Sequence, residues 1–321
     1  MVRSRASLGL LAVAAGFAPG EGALAQRAGF DCSRAATPIE RAICGNAELA
    51  AADRAMMVDY ASLTAKLDPQ GRAHLEADQA RWLRNRERAC AGEAEDAEEC
   101  LAARYRDRAG RLKLLADGAY PFVSEHAIVR AGVARGIPYS VDASYPQFDG
   151  TSADFDAVNR QLAAAASQAA ERAVPRAGAD AGEAQAGLAW RYDQAFSLYR
   201  PSDRAISAVV VFESDDGGAE AVVGQTSLLV DLRTGRVAGP RDVFLAGDGW
   251  LRELARRARP GIKAANLVEL LQDPRRYAFL DDRLELSFGQ DEGGPFTLEV
   301  SYDVLKPFLR PDGPIPPPIP P

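Results

Sequence analysis

The chain has 321 residues, enough for two ordinary domains, and 47% of them are hydrophobic, which is typical of folded rather than disordered protein. Its formal net charge is −7 and its pI is about 5.1. This acidity argues against non-specific binding to nucleic acid and favours a basic partner, if there is one.

The first residues are typical of a secretory signal peptide. Arg3 and Arg5 form a basic start, and residues 8–18 are apolar but too few to span a bilayer comfortably. Ala23-Leu24-Ala25 supplies the small residues that a signal peptidase requires, so we predict a signal peptide over residues 1–25. An uncleaved anchor or a buried helix is the alternative. No later segment is long and apolar enough for a membrane span, so we expect a soluble product, periplasmic or secreted.

Four cysteines, the only ones in the chain, frame one segment. In an exported protein they predict two disulfides. Three pairings are possible, and we favour Cys32–Cys44 with Cys90–Cys100, because each closes a short loop where a helix meets its neighbouring turn. The nested pairing, Cys32–Cys100 with Cys44–Cys90, suits a two-helix hairpin and stays open. Zinc is not expected, since zinc-binding cysteines usually stand about two to four residues apart.

The residues around these cysteines predict four helices. A short helix begins with a capping box between Thr37 and Glu40 and ends near Gly45. A longer one opens at Asn46 or Ala47, with apolar residues on one face at spacings of three and four. Two more helices precede and follow the acidic run between the last two cysteines. Together they predict a small helical bundle stapled by disulfides.

The order of cysteine, aromatic and charged positions in this segment is distinctive. These positions are Asp31-Cys32, Thr37-Pro38-x-Glu40-x-x-Ile43-Cys44, Leu49 with Asp53, Tyr60, Gln79-x-x-Trp82-Leu83-x-x-Arg86-x-x-x-Cys90 and Cys100-Leu101-x-x-x-Tyr105. The segment resembles the LprI lysozyme-inhibitor family over residues 30–115. The resemblance implies an exported helical domain, in a family with members that inhibit lysozyme.

The second half alternates between strand and helix patterns. We expect residues 116–136 to join the halves. Strands are predicted at 137–145 (ending at Pro146), 188–198, 205–213, 225–232, 283–288 and 296–302, and helices at 152–173, 250–259 and 262–272. This order favours an α+β fold in which a mainly antiparallel sheet packs against helices.

Several short motifs in this half also suggest a family. They are Tyr145-Pro146, Val209 to Phe212, Gly217-Gly218-Ala219, Asp231-Leu232-x-Thr234-Gly235, Asp242-Val243-Phe244 and Val300-x-Tyr302-x-x-Leu305. Residues 119–310 resemble the domain of the lysozyme-sensing anti-sigma factor RsiV, which also occurs in some peptidoglycan deacetylases. That family usually has histidine where this chain has Glu220. The resemblance implies a non-catalytic binding domain. Residues 311–321 are proline-rich and predict an extended tail without a packed core.

Residues for catalysis or metal binding are scarce. The two histidines, His74 and His126, are not spaced as metal ligands, and no nucleophile elbow, zinc-protease motif or phosphate-binding glycine loop occurs. The run 213–217 faintly resembles a deacetylase metal motif, but the paired histidines are missing. We therefore predict no catalytic residue, no metal and no cofactor.

Two groups of acidic residues are the candidates for binding a partner. The first lies between the last two cysteines and the second lies in a predicted turn: Glu93, Glu95, Asp96, Glu98 and Glu99, and then Asp215, Asp216 and Glu220. A solvated loop or turn is the plain alternative. As a binding surface, either group would steer a basic protein such as lysozyme toward the chain.

These observations predict an exported, non-catalytic, two-domain binding protein. Its expected partner is a basic lysozyme-type muramidase or peptidoglycan. The alternatives are an enzyme that acts on the cell wall, of the hydrolase or deacetylase type, and a structural envelope protein whose helical module mediates assembly.

Overall fold

A computed structural model of the chain describes residues 28–317 apart from eight internal stretches: 91–93, 117–121, 150–152, 177–188, 218–220, 259–263, 290–291 and 293–295. The predicted signal peptide therefore lies outside the described residues. Within the part that is described, no helix is both long enough and apolar enough to cross a membrane.

Four helices form the first part of the fold, and we call them the helical unit. They are α1 (Pro38–Gly45), α2 (Ala47–Lys66), α3 (Pro69–Ala89) and α4 (Ala94–Ala116). The predicted capping box is confirmed, since the Thr37 hydroxyl accepts from the Glu40 N–H and the Glu40 carboxylate accepts from the Thr37 N–H. Hydrogen bonds from the Thr37 and Ala36 N–H groups to the Glu40 carboxylate lower the pKa of Glu40.

The disulfides join Cys32 to Cys44 and Cys90 to Cys100, which confirms the favoured pairing and excludes the nested one. The acidic run between the last two cysteines was predicted as a loop, and this is largely wrong. Helix α4 begins at Ala94, so the acidic residues from 95 to 99 belong to its first turns.

The second part is built on a six-stranded sheet. Its strands follow chain order: β1 (Phe122–Ala134), β2 (Ile137–Asp149), β3 (Trp190–Ser202), β4 (Ala205–Asp215), β5 (Val222–Asp231) and β6 (Arg236–Ala238). All neighbouring pairs are antiparallel except β2 and β3, which are parallel. Helix α5 (Asp156–Arg172) lies between these two strands in the chain and packs on the sheet through Val158, Leu162 and Ala170. The predicted α+β class with a mainly antiparallel sheet is confirmed.

A smaller three-stranded sheet completes the fold. Its strands are β7 (Tyr277–Phe279), β8 (Arg283–Phe288) and β9 (Phe296–Ser301), and the accompanying helices are α6 (Pro240–Val243), α7 (Gly249–Arg257), α8 (Ala264–Leu270) and α9 (Tyr302–Leu305). Leu284 and Leu286 of this sheet share one core with Ala205 and Leu229 of the larger sheet, so the two sheets pack together.

Strand β1 lies where a joining segment was predicted, so that prediction is wrong. A tight turn at Arg135 and Gly136, both with positive φ, connects β1 to β2. This geometry is typical of hairpins, but the usual Asn-Gly or Asp-Gly signal is absent from the sequence. Pro146 was expected to end its strand, yet β2 continues to Asp149. Strand β2 pairs with β3 only as far as Ala143, so on that side the absent N–H of Pro146 removes no hydrogen bond between strands.

The proline-rich tail also differs from its prediction. Residues 311–317 do not leave the fold, because Ile315 is buried in the core between the sheets. The Pro314 carbonyl accepts a hydrogen bond from the Ser202 hydroxyl, which anchors the segment to the end of β3. Residues 318–321 lie outside the described part.

Candidate functional site

Four aromatic and charged motif positions of the helical unit, Asp53, Trp82, Arg86 and Tyr105, form a buried network. Tyr105 donates to the Asp53 carboxylate over 2.7 Å and accepts from the Arg86 guanidinium over 2.8 Å. The second carboxylate oxygen of Asp53 accepts from the Gly29 N–H. Trp82 packs edge-on against Tyr105, with ring centroids 5.4 Å apart. Burial raises the pKa of Tyr105, so the phenol stays neutral and acts as a donor.

A second buried network surrounds Arg108 of α4. Its guanidinium pairs with the Asp78 carboxylate at 2.5 Å and donates twice to the Gln79 amide oxygen. Only 1% of Arg108 is exposed and Asp78 is fully buried. The other carboxylate oxygen of Asp78 accepts from the backbone N–H of Glu125 in β1 over 2.8 Å. The network therefore ties α3 and α4 to the sheet.

Two more arginines of α4 clamp the helical unit onto the sheet. Arg104 pairs with Asp142 of β2, and Arg111 pairs with the buried Glu125 of β1. The Arg111 guanidinium also lies 3.9 Å from the ring centroid of Phe196 in β3, a cation–π contact. Since Arg104, Arg108 and Arg111 follow helical spacing, one face of α4 makes the whole set of contacts.

Beside this clamp lies a hollow of about 500 Å³, which we call the junction cleft. The Cys90–Cys100 disulfide and the start of α4 form one wall, and β3, β4 and β5 form the floor. Its lining residues are Ala89, Cys90, Ala97, Cys100, Ala103, Arg104, Asp107, Asp142, Arg191, Asp193, Gln194, Ala195, Val211, Phe212, Glu213 and Val223.

The junction cleft carries an excess of negative charge. Its two arginines are already paired, Arg104 with Asp142 and Arg191 with Asp193. Two further lining carboxylates, Asp107 and Glu213, are exposed and have no ion-pair partner among the described residues.

Apolar surface adjoins these two carboxylates. Val223, which pairs with Glu213 across strands β4 and β5, is 68% exposed, and Val211 is 44% exposed. Exposed valines beside unpaired carboxylates form a surface that suits a partner with both cationic and apolar side chains.

Only part of the first predicted acidic group can be placed. Glu98 accepts a hydrogen bond from the Asn46 side chain over 2.7 Å, and Glu99 is exposed. Both line a shallow groove between α2 and α4, whereas Ala97 and Cys100 line the junction cleft. Glu98 and Glu99 thus lie on a different side of α4 from the cleft. Glu93 and the side chains of Glu95 and Asp96 lie outside the described part.

The second predicted group lies at the end of the β4–β5 hairpin. Asp215 accepts from the Gly217 N–H over 2.9 Å, which is a turn-stabilising contact, and Asp216 is exposed. Glu220 lies outside the described residues. Glu213 of β4, rather than Asp215, reaches the junction cleft.

Residues 32–112 match the family of lysozyme inhibitor LprI. The match covers the helical unit almost completely and about a quarter of the chain. We therefore call this unit LprI-like. Its motif residues Trp82, Arg86 and Tyr105 are buried in the network described above, so they hold the unit together and are not displayed to a partner.

Comparison with solved structures found eight similar chains, among them two DUF3298 family proteins. A DUF3298 family protein from Pseudomonas aeruginosa PAO1 has a TM-score of 0.43 and 15% identity, over 62% of this chain and 98% of that one. A DUF3298 member from Bacteroides fragilis NCTC 9343 has a TM-score of 0.41 and 11% identity, over 60% and 95%. Comparison with curated proteins gave no match.

Metal binding has no geometric support in the described part of the chain, where no group of three or more potential ligands converges. His74 lies near Asp149, with 3.9 Å between the ring nitrogen and the carboxylate, and its ring stacks on Phe122. His126 packs against Tyr145, and burial lowers its pKa. Both histidines pack where the LprI-like unit meets the sheet.

Sequence reasoning missed the residues that clamp the LprI-like unit onto the sheet beside the junction cleft. Arg104, Arg108 and Arg111 stand at helical spacing, and this regular stripe was the available signal. No sequence signal marked their partners Glu125 and Asp142, because β1 was not predicted and Asp142 is one acidic residue among many.

Proposed function

We propose that the chain is an exported, non-catalytic binding protein that captures and inhibits a basic lysozyme-type muramidase. The observation that carries this proposal is the match of residues 32–112 to a lysozyme-inhibitor family. The two disulfides support export, since such bonds persist in oxidising compartments. The signal peptide, the periplasmic or secreted location and the RsiV-like nature of residues 119–310 belong to the same proposal.

The junction cleft is the surface we propose for the partner. Because Trp82, Arg86 and Tyr105 of the LprI-like motif are buried, recognition has to come from other, exposed side chains. Asp107 and Glu213 are exposed and unpaired within the described part, and Val211 and Val223 add apolar area. An arginine or lysine of the partner that enters the cleft would meet these carboxylates, while its neighbours would cover the valines.

A lytic assay tests the proposal. Mature protein is added to cell walls with a basic lysozyme, and clearing of the suspension is followed in time. We expect dose-dependent slowing of lysis. Release of wall fragments by the protein alone would instead favour a cell-wall enzyme. No effect on lysozyme, together with no release of fragments by the protein alone, would favour an envelope assembly protein.

Charge-neutralising variants test the cleft separately. In the variant that combines Asp107→Asn with Glu213→Gln, we expect slower association with lysozyme at low salt and a smaller difference at high salt, because salt screens surface charges. The control combines Glu171→Gln with Asp303→Asn, which removes two exposed carboxylates away from the cleft. Inhibition that is equal in both variants would leave the proposed function intact and reject the cleft.

The acidic groups predicted from sequence form a second arm of this experiment. One variant neutralises Glu93, Glu95, Asp96, Glu98 and Glu99, and another neutralises Asp215, Asp216 and Glu220. A loss of association rate in either variant, with the cleft variant unaffected, would move the binding surface to that group.

A further inference from the structure

A second hollow of about 500 Å³ shares no lining residue with the junction cleft. Three chain segments form it: the turn that connects β5 to β6, the short helix α6, and residues 310–314 of the C-terminal segment. Four arginines line it, Arg233, Arg236, Arg241 and Arg310. We call it the arginine pocket.

Two acidic residues of this pocket are already paired with two of the arginines. Arg233 makes two hydrogen bonds to the Asp231 carboxylate, of 3.0 and 2.7 Å, and Arg310 pairs with Asp312 at 2.7 Å. Burial acts to raise the pKa of Asp231, but the hydrogen bonds from Arg233 outweigh it and lower that pKa overall. Asp231 is therefore ionised and engaged by Arg233.

The other two arginines are not paired in this way. Arg236 and Arg241 are exposed, and neither guanidinium has an ion-pair or hydrogen-bond partner among the described residues. The remaining acid, Asp242, accepts a hydrogen bond from the Gly239 N–H over 2.8 Å. The pocket therefore carries an excess of positive charge in a protein that is acidic overall.

The walls of the pocket are held in place by backbone contacts. The Arg233 guanidinium donates to the Asp312 carbonyl over 2.9 Å, and the Arg310 N–H donates to the Val243 carbonyl over 2.8 Å. Gly235 has a φ of +69°, and a Cβ at this position would lie 2.0 Å from the Asp154 carbonyl oxygen. Position 235 of this turn therefore admits only glycine.

We propose that the arginine pocket binds an oxyanion, either a phosphate or the carboxylate of a peptide, through Arg236 and Arg241. A guanidinium offers its N–H groups as a planar fork that matches the oxygens of both anions. Because hydrogen bonds hold the surrounding backbone, anion binding costs mainly the rotamer freedom of these two side chains. This site shares no residue with the junction cleft, so the proposal can be tested independently of lysozyme binding.

The test uses the mature full-length protein in a buffer without phosphate and at low salt. Inorganic phosphate, N-acetyl-alanyl-alanine and the amide of that dipeptide are titrated separately, and backbone amide NMR signals are followed. The test variant combines Arg236→Ala with Arg241→Ala. The control combines Arg72→Ala with Arg130→Ala, two exposed arginines outside the pocket without ion-pair partners in the described part.

We expect saturable shifts near residues 231–242 with at least one of the two anions, and affinity about ten-fold weaker or more in the test variant. The control should match the wild type and the amide should not bind. Binding of phosphate alone, or of the dipeptide alone, identifies which oxyanion the pocket prefers. No saturable shift with either anion, or equal affinity in test and control variants, would overturn the proposal.

Discussion

Replacement of Arg108 by methionine should strongly destabilise the LprI-like unit. Methionine keeps much of the apolar volume but removes the guanidinium that pairs with Asp78 and donates twice to Gln79. Asp78 is fully buried, so its charge would be left with the Glu125 N–H and with Arg81, whose guanidinium stands 3.7 Å away.

The expected magnitude follows from this burial. Removal of one partner of a buried ion pair costs about 3–5 kcal/mol. Here the remaining Asp78 charge is not solvated and keeps only the Glu125 N–H and the longer contact to Arg81. If Asp78→Asn is added to Arg108→Met, the buried charge disappears, so the double variant should be more stable than the single one. The comparison separates the penalty of a stranded charge from the loss of hydrogen bonds.

Urea unfolding followed by tryptophan fluorescence measures the effect, since Trp82 lies inside the same unit. The matched control is Arg106→Met, an exposed arginine on the same helix, with an expected change within about 0.5 kcal/mol. A cost below about 1 kcal/mol for Arg108→Met, or a double variant no more stable than the single one, would refute the reasoning.

Three further predictions concern stability. Replacing Cys90 and Cys100 by serine should cost about 3 kcal/mol in the free energy of unfolding, because the disulfide closes a short loop, and urea unfolding measures it. Gly235→Ala should cost about 2–4 kcal/mol in the same assay, since its positive φ and the nearby Asp154 carbonyl leave no room for a Cβ. Burial lowers the pKa of His126 in the folded protein. As pH falls below about 6.5, this histidine is therefore protonated in the unfolded chain before it is protonated in the folded one, which favours unfolding. Stability at pH 5.5 relative to pH 7.5 should therefore drop more in the wild type than in His126→Gln.

Each of these has a contradicting result. Serine variants that unfold at the same urea concentration as the wild type would show that the disulfide adds no stability. For the turn, Gly110→Ala is the control, because a Cβ there meets nothing within 4 Å. Equal effects of alanine at Gly110 and Gly235 would contradict the steric argument. An identical pH dependence in His126→Gln would remove that histidine as its cause.

Local features were predictable from the sequence because they depend on a few adjacent residues. The capping box at Thr37 and the pairing of Cys32 with Cys44 require only backbone geometry and a short loop. Strand β1 was missed because its hairpin turn at Arg135 and Gly136 departs from the common turn sequences. The acidic run after Cys90 was assigned to a loop because a dense run of charges is typical of solvated segments, although α4 already begins at Ala94.

The candidate sites depend on tertiary structure. Arg104 and Asp142 are separated by 38 residues, and only the packing of α4 across the sheet brings them together beside the junction cleft. The arginine pocket likewise needs residues 310–314, predicted as part of a tail, to return against the β5–β6 turn. Residue order and local pattern thus determined the LprI-like unit, its disulfides and the α+β class. Long-range packing alone decided which charges are buried in pairs and which remain exposed for a partner, because burial and pairing depend on every segment that surrounds a charge.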